Sequence, residues 1–281
     1  MEAWHQRNLT YEDFPFNLFI TDIPEFPPHW HEEIEIVYVL EEELVIGLNN
    51  EIYTLQPRNI LIINSSEVHF FVTPPKKSKR IILQFEQSLF GPFSAMMRER
   101  KLITPIINPL NKTQSQIHHD MEKQLLLIIE EYSKMRLGFQ LVIQARLCDL
   151  IVILLRHVPM EKYSSLERSK HLKRLERLEQ VFNYVAQNFS REISLNEIAR
   201  TANFSIYHFT RFFRETTGMT FTQYLNNYRI NKAVKFLTET TDSITEIAFN
   251  SGFESIKTFN RVFKQLKGCP PSSYKKKNVL S

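Results

Sequence analysis

Cysteines and long apolar runs are scarce in this chain of 281 residues, and their scarcity excludes several classes of protein. Only Cys148 and Cys269 occur, so the sequence predicts neither a disulfide framework nor a cysteine-rich zinc cluster. A reducing cytoplasm is the natural compartment for such a chain. The longest apolar stretches, residues 125–129 and 150–155, are too short to span a bilayer, and the charged N-terminus lacks the apolar region of a signal peptide. We therefore expect a cytoplasmic protein without membrane association.

Charge is unevenly divided along the chain, although the formal net charge is only +4. Residues 1–170 carry 18 Lys+Arg against 22 Asp+Glu, whereas residues 171–281 carry 17 against 9. An acidic larger part and a basic smaller part are typical of a nucleic-acid binder attached to a second domain. The length is likewise sufficient for two domains, each with its own core.

Residues 194–274 contain the same pattern twice. The first copy, at 194–218, reads SLNEIARTANFSIYHFTRFFRETTG, and the second, at 243–268, reads SITEIAFNSGFESIKTFNRVFKQLKG. Self-similarity of this length indicates a duplicated structural unit. Each copy opens with Ser-x-x-Glu, in which the serine caps a helix and the glutamate reaches back to the N–H of the cap.

Each copy breaks near its middle, where Asn203 in the first and Gly252 in the second tolerate the left-handed backbone of a tight turn. A second helix follows each turn and ends before Gly218 or Gly268. Helix, tight turn and helix form a helix-turn-helix unit. A long helix over residues 221–237 separates the copies, and at about 1.5 Å per residue it spans roughly 25 Å.

The second helix of each copy carries an apolar stripe and a separate polar stripe. The polar positions at i, i+3 and i+4 are Tyr207, Thr210 and Arg211 in the first copy and Lys257, Asn260 and Arg261 in the second. Arginine, lysine and asparagine read base edges in the major groove, while tyrosine and threonine suit thymine methyl or phosphate contacts. A solvated helix face is the structural alternative, but the same stripe in both copies argues against it. We therefore predict that these six residues bind DNA.

Residues 194–274 resemble the DNA-binding domain of AraC/XylS transcription regulators. The resemblance rests on the Gly-Phe at 252–253, on the Arg-x-Phe of each second helix, and on the Pro-Pro-Ser-Ser-Tyr ending at 270–274. It implies that the two units enter successive major-groove segments on one face of the DNA, with half-sites roughly 34 Å apart. It also implies a transcription regulator, more often an activator than a repressor, that contacts RNA polymerase.

The N-terminal part of the chain reads as a series of short strands. Seven segments are rich in β-branched or aromatic residues and are separated by turns: residues 16–21, 34–40, 44–48, 52–55, 60–63, 69–73 and 81–85. Closely spaced strands of this kind predict an antiparallel barrel or jelly roll. Residues 29–69 resemble the cupin-like sensor domain of many AraC-type regulators, which implies that a small-molecule effector binds in the barrel.

Four polar residues of this segment are the predicted ligand-binding residues: His29, His31, Glu35 and His69. The first three alternate onto one face of an extended strand. Small-molecule sites combine apolar walls with a few such polar groups. The structural alternative is that His29 and His31 lie at the barrel mouth and only form hydrogen bonds there. The effector stays open, since a polyol, a sugar or a cationic metabolite would all suit these groups.

The same residues raise the question of a metal. Metal-dependent cupins use a His-x-His-x3-Glu pattern, which His29, His31 and Glu35 match. The fourth ligand of that pattern would stand where this chain has Ile62, and His69 would substitute only if the strand geometry brought it inward. We therefore predict no metal, no cofactor and no catalytic residue. A metal-dependent cupin enzyme fused to a DNA-binding domain is the alternative, because three protein ligands suffice for a catalytic ion.

Two amphipathic helices are predicted after the barrel, at residues 114–134 and 137–157. Apolar residues recur at helical spacing at Ile117, Met121, Leu125, Ile128 and Tyr132 in the first and at Leu141, Ala145, Cys148, Val152 and Leu155 in the second. Further apolar residues lie off these stripes: Leu126, Ile129, Leu150 and Ile151. Apolar surface on two sides indicates one face for the barrel and one for a partner. The family resemblance implies a homodimer interface here, and packing of both faces within the monomer is the alternative.

The predicted fold is α+β: a cupin-like antiparallel β-barrel followed by two helices, then an all-α domain with two helix-turn-helix motifs. The predicted domains are a barrel at 1–112, a helical dimerisation region at 113–157, a linker at 158–170 and an AraC-type DNA-binding domain at 171–281. The linker is assigned to a segment with proline, serines and charges but almost no apolar pattern. We predict a ligand-responsive, dimeric transcription regulator; a regulator whose barrel binds nothing and only dimerises is a further alternative.

Overall fold

The computed structural model describes residues 14–23, 26–49, 51–72 and 77–279. They form two compact units that divide after Leu172. The first unit contains the strands and the helices that follow them, and the second unit is helical. The α+β class predicted from the sequence is confirmed.

The strands are β1 (Phe16–Thr21), β2 (Phe26–His29), β3 (Ile34–Glu41), β4 (Leu44–Leu48), β5 (Glu51–Leu55), β6 (Ile60–Ile63), β7 (His69–Val72), β8 (Lys79–Phe85), β9 (Arg100–Leu102), β10 (Ile106–Ile107) and β11 (Met160–Lys162). The helices are α1 (Ser94–Arg98), α2 (Ser115–Lys134), α3 (Phe139–His157), α4 (Ser165–Asn188), α5 (Leu195–Thr201), α6 (Ile206–Thr217), α7 (Phe221–Glu239), α8 (Ile244–Asn250), α9 (Ile256–Lys267) and α10 (Pro271–Val279), with a 3-10 segment at Gln87–Phe93.

Two antiparallel sheets pack against each other in the first unit. The larger has the strand order β1-β8-β3-β6-β10, and the smaller has the order β2-β7-β4-β5. The seven strands predicted from the sequence are present, although residue 73 at the end of one lies outside the described residues. Strand β2 was not predicted, because Pro27 and Pro28 argue against a strand; it forms at a sheet edge, where proline is tolerated.

Strand β3 lies in the middle of the larger sheet and is buried on both faces. Ile34 and Ile36 pack in the core that includes α2 and α3, whereas Val37 and Val39 pack in the core between the two sheets. Because side chains alternate along a strand, Glu35 lies on the same inner face as Val37. The strand therefore carries a carboxylate into the interior of the barrel.

Helix α3 buries apolar residues that lie off its predicted stripe, including Leu150 and Ile151. Its buried residues are Ile143, Leu147, Leu150, Ile151 and Leu154. Of the predicted stripe, Leu141 is 72% and Val152 is 40% exposed. Two apolar faces are thus present, but helical spacing alone does not tell which of two apolar stripes meets the sheet.

A buried carboxylate fastens α2 to the barrel. Glu122 Oε1 accepts hydrogen bonds from Tyr38 Oη at 2.6 Å and from Arg58 Nε at 3.0 Å, and Glu122 Oε2 accepts one from Arg58 Nη2 at 2.7 Å. One turn earlier, His118 Nε2 donates to Arg58 O at 2.6 Å. Burial and the Glu122 carboxylate raise the pKa of Tyr38 to about 12, so the phenol keeps the proton that it donates.

The segment predicted as the interdomain linker, residues 158–170, contains β11 and the first turns of α4. A capping box explains the early start of α4: Ser164 Oγ accepts from Glu167 N at 3.2 Å, and Glu167 Oε2 accepts from Ser164 N at 2.9 Å. Lys101 Nζ also donates to Glu167 Oε1 at 2.9 Å. The role of this segment as a linker between domains stays a prediction; its secondary structure was overlooked because the sequence analysis weighed apolar content and not this cap.

The second unit packs its helices around α7 through aromatic rings. Phe182 and Tyr224 stack with centroids 4.7 Å apart, and Phe213 meets Tyr224 at 5.5 Å. The two predicted helix-turn-helix units are present as α5–α6 and α8–α9. Helix α10 was not predicted; its Tyr274 packs on Phe263 at 5.6 Å and helps to close the second core.

The tight turns of the two helix-turn-helix units have left-handed backbone, as predicted. The φ angle is +55° at Asn203 and +85° at Gly252. At Gly252 a Cβ atom would lie 2.0 Å from Phe189 O and 2.8 Å from Arg229 Nε, which themselves form a 2.9 Å hydrogen bond. This turn therefore needs glycine for both its conformation and its close contact.

We expect Gly252→Ala to destabilise the chain clearly more than Gly268→Ala. Gly268 also has positive φ, +71°, but apart from its neighbours along the chain no described atom lies within 4 Å of its Cβ position. Its substitution should therefore cost only the left-handed backbone penalty, about 1–2 kcal/mol. Urea unfolding of the full chain, followed by helical circular dichroism, measures both; equal midpoints for the two variants would contradict the contact argument.

Candidate nucleic-acid interface and buried histidine cluster

Helix α6 presents Tyr207, Thr210 and Arg211 on its exposed face. Phe209 on the opposite face is fully buried, which fixes the rotation of the helix. Tyr207 is 71% exposed, and Thr210 Oγ1 donates to Tyr207 O at 3.0 Å. Arg211 Nε contacts Glu215 Oε1 at 2.7 Å; such an exposed ion pair is weak, so the guanidinium is available to another partner.

Helix α9 repeats this arrangement in the second helix-turn-helix unit. Lys257, Asn260 and Arg261 are exposed, while Phe259 and Phe263 are fully buried. Ser255 Oγ caps the helix by accepting from the backbone of its third residue, as Ser205 does for α6. Helix α7 separates the two helix-turn-helix units and runs for 19 residues, or roughly 28 Å at 1.5 Å per residue.

The four predicted ligand-binding residues meet inside the barrel. His29 of β2 pairs in register with His69 of β7, and their ring centroids lie 4.0 Å apart. His31 Nε2 lies 3.1 Å and His69 Nε2 lies 3.7 Å from Glu35 Oε2. Each of the four residues is at most 3% exposed. The strand geometry therefore does bring His69 inward, which the sequence could not decide.

The electrostatics of the cluster separate its members. Burial lowers the pKa of His29 well below its usual value, and His69 and His31 lower it further. Burial by itself raises the pKa of Glu35, but His69 and His31 outweigh it and hold that pKa well below its usual range. Burial also lowers the pKa of His69, but the Glu35 carboxylate outweighs it and the net direction is upward. The cluster is thus built around an ionised carboxylate, with His29 neutral.

A cavity of about 310 Å³ lies elsewhere in the first unit. Its lining is largely polar and includes Glu32, Asn64, Ser66, Gln87, Arg100 and Arg168. At its edge, His171 Nε2 donates to Ser66 O at 3.0 Å. None of the four predicted ligand-binding residues lines this cavity. Sequence reasoning missed it, because its lining comes from segments far apart in the chain; the cap at Ser164, which extends α4 towards it, was the one available signal.

No helix in the described part of the chain combines the length and the apolar character needed to cross a membrane.

Known proteins resemble both units. A family model described as an AraC-like ligand binding domain matches residues 22–151, and a helix-turn-helix domain model matches residues 198–277. The chain is 26% identical to the HTH-type transcriptional activator RhaR of Mannheimia succiniciproducens over 91% of this chain and 89% of that protein. It is 23% identical to the uncharacterized HTH-type transcriptional regulator YdeC of Bacillus subtilis over 90% and 87%. Among solved structures, the chain is similar to unsaturated fatty acid bound ToxT from Vibrio cholerae. The match covers 93% of this chain and 94% of the ToxT chain, at 14% identity and a TM-score of 0.45.

A ligand-binding domain followed in the chain by two helix-turn-helix units defines a DNA-binding transcription regulator. The chain belongs to the AraC-type family of such regulators. Both family resemblances seen in the sequence are thereby confirmed.

Proposed function

We propose that this regulator reads DNA sequence with α6 and α9, each in its own major-groove segment. The reading residues are Tyr207, Thr210 and Arg211 on α6 and Lys257, Asn260 and Arg261 on α9. The observation that supports this assignment is that the same three positions are exposed in both units while aromatic residues fix the opposite faces. A basic unit of this kind also gains phosphate contacts, which position the helices without adding sequence information.

We propose that a small molecule bound in the first unit controls this reading. The cavity supports the proposal, because Arg168 and His171 on its lining belong to α4, the helix that runs across the division at Leu172. A ligand shifts the regulator only if it binds one DNA-binding arrangement better than another. Direct effector contact with the four buried residues stays a prediction, as does a cytoplasmic location.

We propose a homodimer that forms through the exposed face of α3. Leu141, Val142 and Val152 are exposed there, with Ala145 and Cys148 between them, so one helix leaves a continuous apolar strip uncovered. Contiguous apolar surface on a folded chain marks an interaction site. Activation of transcription, with contact to RNA polymerase, is proposed on the likeness to the activator RhaR.

Selection of bound sequences from a random DNA pool tests the proposed function most directly. We expect enrichment of a paired motif whose halves repeat at roughly one helical turn, about 34 Å. The salt concentration must be stated, because phosphate contacts make affinity depend on it. A pool without enrichment, with and without a metabolite mixture, would contradict sequence reading. Enrichment that no metabolite changes would favour the effector-independent regulator.

Arg211→Ala and Arg261→Ala should each weaken binding to the selected site by roughly 5- to 150-fold, with a smaller effect on random DNA, because a base contact discriminates by about 1–3 kcal/mol. Lys235→Ala is the matched control, because Lys235 is an exposed cation on α7 and belongs to neither reading helix. Fluorescence anisotropy with both DNAs measures the ratio. An equal loss on selected and random DNA would reassign that arginine to phosphate.

Leu141→Glu should convert the dimer into a monomer, because it places a charge within the apolar strip of α3. Leu110→Glu is the control, since Leu110 is 87% exposed but lies outside the strip. Sedimentation equilibrium of the full chain measures both. A Leu141→Glu variant that still dimerises with wild-type affinity would place the interface elsewhere.

A further inference from the structure

The buried histidines have the hydrogen-bond pattern of metal ligands. Each places its Nδ1 against the backbone carbonyl of a residue two positions away, at 2.9 Å for His29 and His69 and 3.1 Å for His31. A carbonyl oxygen only accepts hydrogen bonds, so each Nδ1 carries a proton and each Nε2 of a neutral ring carries a lone pair. Metal-binding histidines are held in this way by their other ring nitrogen.

The three histidine rings bring ring nitrogens close together inside the barrel. One ring nitrogen from each of the three histidines lies within 4.8 Å of the others. His69 Nε2 and Glu35 Oε1 are buried and have no hydrogen-bond partner among the described residues. A buried polar atom left in this state costs about 1–3 kcal/mol. A cation between the four side chains would satisfy these atoms together.

A shared proton explains less of this geometry. Protonation of His31 would account for its 3.1 Å contact with Glu35, but it would leave His69 Nε2 without a partner. Gln84 Nε2 already donates to Glu35 Oε2 at 2.8 Å, so the carboxylate is held in place independently of the histidines. Such outer hydrogen bonds orient a metal ligand.

We propose that this cluster binds one divalent first-row transition-metal ion. Its ligands are His29, His31, His69 and Glu35. Imidazole nitrogens and a carboxylate oxygen are ligands that zinc and its neighbours accept. The sequence argued against a metal because Ile62 stands at the expected fourth position. His69 supplies the fourth ligand from a different strand.

The ion would join the two sheets of the barrel. His29 and His69 come from β2 and β7 of the smaller sheet, and Glu35 comes from β3 of the larger one. Because the ligands come from both sheets, the complete site exists only in the folded barrel. The ion therefore stabilises the folded barrel, since its binding free energy becomes folding free energy.

Metal content of the full chain, purified without a histidine tag, is the first test. After incubation with zinc and dialysis against metal-free buffer, we expect about one zinc per chain, as structural sites retain their ion. Cobalt in its place should bind without a thiolate charge-transfer band, which separates this cluster from Cys148 and Cys269. A wild-type chain that retains no zinc overturns the proposal.

Variants assign the ion to this cluster. His69→Ala should lower zinc affinity by more than the roughly 10- to 100-fold loss that follows removal of an outer hydrogen-bond partner. His119→Ala, on the exposed side of α2, should bind as the wild type does. Glu35→Gln keeps the shape of the side chain and serves if His69→Ala does not fold; it too should weaken zinc binding. Unchanged affinity in either folded variant contradicts the assignment.

Thermal unfolding provides an independent readout. Zinc should raise the melting temperature of the wild-type chain and a chelator should lower it, whereas the melting temperature of His69→Ala should respond to neither. A wild-type melting temperature that ignores both reagents would count against an ion that joins the sheets. DNA binding enters none of these measurements, so their outcome is separate from that of the proposed function.

Discussion

Reciprocal hydrogen bonds fix where four helices begin: a capping hydroxyl accepts from the backbone N–H three residues later, and the side chain of that later residue accepts from the backbone N–H of the cap. The pairs are Ser164 with Glu167, Ser194 with Glu197, Thr220 with Gln223 and Ser243 with Glu246. Each capping residue stands directly before the first residue of its helix, so the four pairs set the starts of α4, α5, α7 and α8. Each cap satisfies backbone N–H groups that water would otherwise have to bind, and loss of one costs about 1 kcal/mol. Helices α6 and α9, the proposed reading helices, follow α5 and α8 directly in the chain.

The second unit was largely predictable because its signals are local. A cap, a left-handed residue and an apolar stripe are each defined within a few residues, and the duplication repeats them. Helix α10 was not predicted because its sequence is polar and it packs on the core mainly through Tyr274. The start of α4 escaped although Ser164 and Glu167 form the same motif that located α5 and α8. There the signal was present, and the absence of apolar residues outweighed it.

The first unit was less predictable because its important contacts join segments that are distant in the sequence. His69 faces His29 because of the register of β7 against β2. No local sequence signal near either strand predicts that register. The same holds for Glu122, whose partners Tyr38 and Arg58 lie on the barrel. Apolar stripes could be counted on α3, but two competing stripes have the same period, and only the packed sheet chooses between them.

The two helix-turn-helix copies differ in their exposed residues, so the proposed DNA-binding surface of one chain is asymmetric. Tyr207 and Thr210 of α6 occupy the positions that Lys257 and Asn260 occupy on α9, while arginine is common to both helices. A palindrome looks the same from either strand, but a site met by two unlike helices does not. With α6 and α9 as the proposed reading helices, one chain would distinguish upstream from downstream along the duplex, and the amino-acid sequence would encode the orientation of its site relative to a promoter.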